Sequence, residues 1–160
     1  MLGNVEKIEA YKHLSEKEKA ELKQYALNLT GFINIINISR EKKEDIFITL
    51  VEYRANLLAS DEYVRKYNRV ADKMDALYEK YKKETDEEVK VELAERYRKY
   101  KNEQANLKAN YDYFNGKRSA LSDRAFKYDK FIDEELVNGV KNQMSKIDRN
   151  RKIPIKPIKK

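Results

Sequence analysis

Residues 60–114 read SDEYVRKYNRVADKMDALYEKYKKETDEEVKVELAERYRKYKNEQANLKANYDYF, and the reading of this stretch decides the fold. It contains neither glycine nor proline and holds eight of the chain's twelve tyrosines. Val64, Tyr67, Ala71, Met74, Tyr78 and Tyr81 alternate steps of three and four residues, and Tyr63, Val70 and Leu77 run beside them as a flanking line. This spacing gathers the apolar side chains on one broad helix face, wider than a strict coiled-coil seam. Leu93, Tyr97, Tyr100, Gln104, Leu107, Tyr111 and Phe114 repeat the pattern in the second half.

The two stripes are out of phase. Heptads counted forward from the first reach Thr85 and Glu92, whereas those counted back from the second reach Lys90, so a slip falls between Lys82 and Glu88. Thr85 followed by Glu88 is a capping-box pattern and predicts a new helix start there. A short connection makes the two arms antiparallel neighbours. One continuous helix with a local stutter is the alternative, since nothing in this connection forbids helix. Six acid-to-base pairs stand four residues apart on the outer faces: Asp61–Arg65, Glu62–Lys66, Glu79–Lys83, Asp86–Lys90, Glu92–Arg96 and Glu95–Lys99. Each contributes only ~0.2–0.5 kcal/mol, so burial of the stripes must supply most of the stability. Tyrosine hydroxyls along a seam need partners or water, which predicts a thin, half-wet bundle or a seam shared between copies.

The composition agrees with long exposed helices: 39% of the 160 residues are charged and 41% hydrophobic, with four glycines and two prolines. The length suits one domain with its own core, here residues 1–148, followed by a tail at 149–160. The absence of cysteine excludes disulfides and thiolate metal sites. No run approaches 18 apolar residues and the first residues lack a signal-peptide pattern, so a cytoplasmic protein without membrane contact is expected.

The net charge of +7 is not spread along the chain. Residues 1–60 carry 9 bases and 9 acids, residues 61–113 carry 13 of each, and residues 114–148 carry 7 against 6. The last twelve residues hold six bases and no acid. Any anion-binding role therefore rests on the tail or on local basic faces.

Outside the central stretch, Val5, Ile8 and Tyr11 stand three apart and suggest a short helix. Ser15 with Glu18 forms a capping box opening a helix through Leu22, Tyr25, Ala26 and Leu29, with Thr30-Gly31 as its expected end. His13, the one histidine, has no cysteine or second histidine to join it in a metal site and is expected at the surface. The alternating Phe32–Ile38 has strand propensity but no second strand to pair with, so it reads as an apolar connector or extra helical turn; partner recruitment by strand addition is the rival. Ser39 caps a helix with Ile46, Phe47, Leu50, Val51, Arg54, Leu57 and Leu58 on its inner face, ending near Ala59-Ser60. After the hairpin, Asn115-Gly116 reads as a stop, Ser119 or Ser122 as a new start, and Gly139 as a possible bend in the helix that follows.

No residue set identifies a reaction. There is no phosphate-cradling glycine loop, nucleophile elbow or histidine pair, and no cofactor or metal is implied. Asp129, Asp133 and Glu134 resemble the acidic cluster of a magnesium-dependent nuclease, but acids on exposed helix faces are common in this chain. The stronger candidate is the run Arg96-Tyr97-Arg98-Lys99-Tyr100-Lys101, continued by Lys108, Lys117 and Arg118. Bases interleaved with aromatics can grip single-stranded nucleic acid through phosphates and stacking, with Arg98, Lys101, Lys108, Lys117 and Arg118 as contacts. Against it, Tyr97 and Tyr100 occupy the seam, and Glu92 and Glu95 stand one turn from Arg96 and Lys99.

The tail interleaves Arg149, Arg151, Lys152, Lys156, Lys159 and Lys160 with Ile153, Ile155 and Ile158 and two prolines. Proline rules out helix there, leaving a solubilising end or an extended arm. Such an arm would lie on an anionic surface, its isoleucines filling small pockets on a partner.

Tyr111-Asp112-Tyr113-Phe114-Asn115-Gly116-Lys117 resembles the aromatic-aromatic-x-Gly-Lys turn of phage recombination mediators of the UvsY type. The resemblance covers under ten residues and the helical run before them, and the proline-containing tail departs from that family's longer helical end. It implies a helical oligomer working on single-stranded DNA. The expectation is therefore an all-α, elongated helical bundle built around a long antiparallel hairpin. The functional expectation is a non-enzymatic accessory protein that binds nucleic acid or a nucleoprotein complex through the basic tail and a basic helix face. The alternative is a structural, assembly or inhibitor protein acting through protein–protein contacts or self-association.

Overall fold

A computed structural model describes the backbone of residues 2–150 and the side chains of residues 5–139, 141 and 144. The roles expected of Arg149, Arg151, Lys152, Ile153, Ile155, Lys156, Ile158, Lys159 and Lys160 fall outside the described residues. Two 3-10 segments, Leu2–Lys7 and Glu9–His13, precede three helices: α1 (Glu16–Asn34), α2 (Arg40–Lys83) and α3 (Glu87–Asn150). Among the described residues there is no strand, and the architecture is an all-α bundle around a long helical hairpin.

Helices α2 and α3 run antiparallel along their shared length. Asp45 meets Arg124 and Tyr128 at one end, Tyr63 stacks on Phe114 in the middle, and Lys90 lies over Tyr81 at the other end. At a rise of ~1.5 Å per residue, α3 extends ~96 Å and α2 ~66 Å. Both helices are longer than their sequence punctuation suggested, for a shared reason: the residues read as stops are compatible with helix, and the seam continues past them in one phase. Across Ala59-Ser60 the helix continues, with Ala59 fully buried and the Ser60 hydroxyl donating to the Leu57 carbonyl at 2.8 Å. Gly31, Gly116 and Gly139 all lie within helices at negative φ, so neither the expected cap at Gly31 nor the stop at Asn115-Gly116 forms.

The connection between α2 and α3 falls at Glu84–Asp86, inside the expected interval. Its cap is one residue later than expected. Asp86 Oδ1 accepts from the Glu88 backbone N–H at 2.9 Å, while Glu84 Oε1 accepts from the N–H groups of Thr85 and Asp86 at 3.0 Å each. Carboxylates take this place because the unpaired amides of a helix start favour negative charge.

The seam of α2 is rotated from the stripe first read. Tyr63, Val70, Met74 and Leu77 are buried, whereas Val64, Tyr78 and Tyr81 are exposed. The flanking line is thus the true seam, and stepping back from it by sevens reaches Asn56 and Thr49, both buried. On α3, Leu93, Tyr100, Leu107, Phe114, Leu121 and Tyr128 follow the same seven-residue interval with no slip at Gly116, each of them buried or half-buried.

The other elements cover one half of this hairpin. Helix α1 packs Leu22, Ala26, Leu29 and Ile33 into the core, its start fixed by the reciprocal Ser15–Glu18 capping box. The spacing of Val5 and Ile8 matches the three residues per turn of a 3-10 helix, and Val5, Ala10 and Leu14 are buried. Ile36 closes the α1–α2 turn, while Phe32 and Ile35 point outward. Ser39 caps α2 by accepting from the Lys42 N–H at 3.2 Å. Arg54, expected inside, is exposed with its guanidinium 4.3 Å from the Tyr25 ring centre. The main core is therefore confined to the root of the hairpin, around Ile46, Phe47, Leu50, Val51, Ala55, Ala59 and Phe114. Beyond Lys66 the molecule is two helices thick, sealed by Val70, Met74, Leu77 and Leu93.

Candidate interaction surface

The root is pinned by polar contacts that cross between elements. Arg65 reaches Glu18 at 2.5 Å and Glu62 at 2.7 Å, joining α1 to α2. Both carboxylate side chains are nearly buried while Arg65 is about half exposed. Burial pushes the Glu62 carboxyl up, but the Arg65 hydrogen bond and charge more than offset this and hold it below the ordinary glutamate value. None of the six pairs expected at four-residue spacing is closed within 4 Å among the described residues; Arg65 turns to Glu18 and Glu62, and Lys82 reaches Glu79 at 3.2 Å. A carboxylate buried beside Arg65 holds it far more strongly than Asp61 in water.

His13, expected at the surface, is a half-buried wedge between segments. Its Nδ1 lies 2.5 Å from the Tyr63 hydroxyl and its ring centre 4.7 Å from that of Phe114. Burial lowers its pKa, Glu9 opposes this, and Lys66 and Lys12 add to it. In the neutral tautomer that carries its proton on Nε2, Nδ1 accepts from the Tyr63 hydroxyl, whose own pKa is raised by burial and by the charge of Glu62.

The basic residues expected to bind nucleic acid divide into two groups. Lys117 bonds Glu9 at 2.7 Å and lies 4.7 Å from the Tyr113 ring centre, which itself donates to Glu9. Arg118 bonds the Asn115 side chain at 2.9 Å, and Lys108 reaches Asp112 at 3.2 Å. Of these, only Lys117 is tied to another element, while Lys108 stays exposed in a local pair and Arg118 bonds within its own helix. The aromatic-Gly-Lys stretch around them is continuous helix where the resemblance implied a turn. Arg98 and Lys101 stand apart. They are exposed and, among the described residues, in no salt bridge within 4 Å.

Arg98 and Lys101 border a groove of about 380 Å³ near the hairpin tip, lined also by Leu77, Tyr78, Tyr81, Leu93, Ala94 and Tyr97. Tyr97 was expected to be packed, yet it remains exposed, as do Tyr78 and Tyr81. With only two helices here, no third element covers the outer halves of the rings. The faces of Tyr78 and Tyr81 are approached by Lys82 and Lys90, 4.8 and 5.4 Å from their centres. Such a concave aromatic surface with an arginine at its edge has the composition of protein-contact hot spots.

The sequence reading missed the groove because it assigned Tyr78 and Tyr81 to the buried face; the signal that corrects it is the seven-residue line Tyr63–Val70–Leu77. Asp129, Asp133 and Glu134 are exposed on α3, and among the described residues no three metal-capable side chains converge. No described helix is long and apolar enough to cross a membrane. Comparison with protein-family models, curated proteins and solved structures finds no match to this chain.

Proposed function

We propose that this is a non-enzymatic helical assembly protein that works through protein–protein contacts made at the hairpin tip. The observation that carries this reading is the open groove of Tyr78, Tyr81 and Tyr97 over Leu77 and Leu93, on a charge-balanced stretch of chain. Aromatic side chains half covered by their own fold bury much apolar area on docking at little entropic cost.

Nucleic-acid binding is the second reading, favoured by Arg98 and Lys101 beside exposed tyrosines and by the six bases in residues 149–160. The two separate by salt and by mutation. Oligonucleotide binding, followed by fluorescence anisotropy, is expected to be weak, to fall with salt and to vanish when residues 149–160 are deleted. The double variant Tyr78→Ser, Tyr97→Ser should leave that binding unchanged but abolish the protein's complexes in native extracts of its source, with helicity retained. Tight single-strand binding at physiological salt that is lost in Arg98→Glu, Lys101→Glu would replace the assembly reading with the nucleic-acid one.

A further inference from the structure

One stripe of α3, exposed except at the half-buried Ala94 at its centre, has a charge pattern that complements itself. Glu87, Val91, Ala94, Arg98 and Lys101 alternate steps of four and three and so share one face of the helix. This face is distinct from the intramolecular seam through Leu93, Tyr100 and Leu107. Along it the stripe passes from acidic, through apolar and small, to basic. Val91 is 58% exposed, although it is a β-branched apolar residue on a two-helix-thick rod. Ala94 lies midway, seven residues from both Glu87 and Lys101.

A stripe with opposite charges at equal distances from a small central residue matches its own reverse. Resting on the reading of the tip as a protein-contact site, we propose that the partner is a second copy of this chain. The two α3 stripes lie antiparallel about a two-fold axis at Ala94. Glu87 of each copy then faces Lys101 of the other, and Val91 packs beside the aliphatic stem of Arg98. The small Ala94 side chains let the backbones approach, and Tyr78, Tyr81 and Tyr97 line the groove along the contact. Lys90, one position aside, is directed over Tyr81 within its own hairpin and leaves the acidic end of the stripe unopposed. A parallel pairing would set Glu87 on Glu87 and Lys101 on Lys101, so charge selects the antiparallel form.

The chain contains no cysteine, so a single introduced thiol reports on the contact without background. Full-length Ala94→Cys is expected to form a disulfide-linked dimer under mild oxidation, because residues on the two-fold axis bring their β-carbons together. Sedimentation equilibrium of the unmodified chain should show a monomer–dimer equilibrium at about 10–100 µM. Glu87→Lys should raise its Kd about tenfold, as should Lys101→Glu, and the double variant should restore it. Glu87 and Lys101 are exposed and Ala94 is half-buried, so all three changes should leave the hairpin folded, and circular dichroism checks this for each variant. A monomer at every concentration overturns the proposal, and so does a dimer in which Ala94→Cys fails to cross-link and the charge swap has no effect. In either case, continued loss of heterologous complexes in Tyr78→Ser, Tyr97→Ser would leave the assembly reading standing. Failure of both would remove it.

Discussion

The root and the tip of the α2–α3 hairpin are built on one seven-residue interval yet solve the problem of covering it differently. At the root, α1 and the two 3-10 segments add a third layer, and beneath them small and aliphatic residues such as Val51, Ala55 and Ala59 pack with the fully buried rings of Phe47 and Phe114. At the tip nothing is added, and the seam is closed by Leu77 and Leu93 with tyrosines spread around them. Phe114 is 1% exposed at the root, whereas Tyr78 is 52% exposed at the tip. A third layer lets a seam use small side chains. Without it, only large amphipathic rings can cover the apolar line and still satisfy their polar ends.

The contrast is tested most severely at the root. Arg65→Met should destabilise by about 3–5 kcal/mol, because it leaves Glu18 and Glu62 buried together without their counter-charge. Urea denaturation followed by circular dichroism measures this, and a loss under 1 kcal/mol would show that the triad does not hold α1 to the hairpin. Phe114→Ala should cost a similar ~3–5 kcal/mol, and Leu93→Ala at the tip only ~2, since the thinner site relaxes more easily. Native-state hydrogen exchange should show the same ordering, with amides near Leu77 and Leu93 opening before those near Leu50 and Ala55.

Acid should loosen the root before the tip. His13 has a lowered pKa in the fold, so its contribution is complete above the unfolded value of ~6.5 and is lost as pH falls through the folded one. Glu62 is lowered likewise, and its share is present above ~4.5 and is lost further down. His13→Phe should flatten the upper step in a plot of stability against pH while leaving the lower one. If both steps survive, the His13 imidazole is not the source of the upper one.

The smallest effect is the most diagnostic of continuity. Gly116→Ala should raise stability by about 0.5–1 kcal/mol, because Gly116 lies inside α3 at negative φ with open space where a β-carbon would stand. Were Asn115-Gly116 a left-handed stop, the same change would destabilise.

The hairpin, its turn between Lys82 and Glu88, the capping box that opens α1 and the serine cap of α2 were legible because each rests on local spacing or a cap. What was not legible rested on context. The seam of α2 was misplaced because two of its positions, Thr49 and Asn56, are polar and so break an apolar pattern. Thr49 is satisfied by Arg124 at 3.0 Å, whereas Asn56 Oδ1 is buried without a partner. Both are facts of tertiary packing. Gly116 misled for a similar reason: glycine marks a stop only when nothing continues the helix, and Leu121, Ala125 and Tyr128 continue it in register. Arg98 and Lys101, singled out by composition, stand exposed at the edge of the groove. That Lys117 is engaged by Glu9 depended on a neighbour 108 residues distant in sequence, whereas the contacts of Lys108 with Asp112 and of Arg118 with Asn115 are local to α3.

An uninterrupted interval has a consequence for reach. Because the shared stretch of α2 and α3 keeps one phase, inserting seven residues into each arm midway would carry the end outward by ~10 Å and leave every facing pair aligned. The hairpin could thus be lengthened or shortened by whole heptads without disturbing the packing at either extremity.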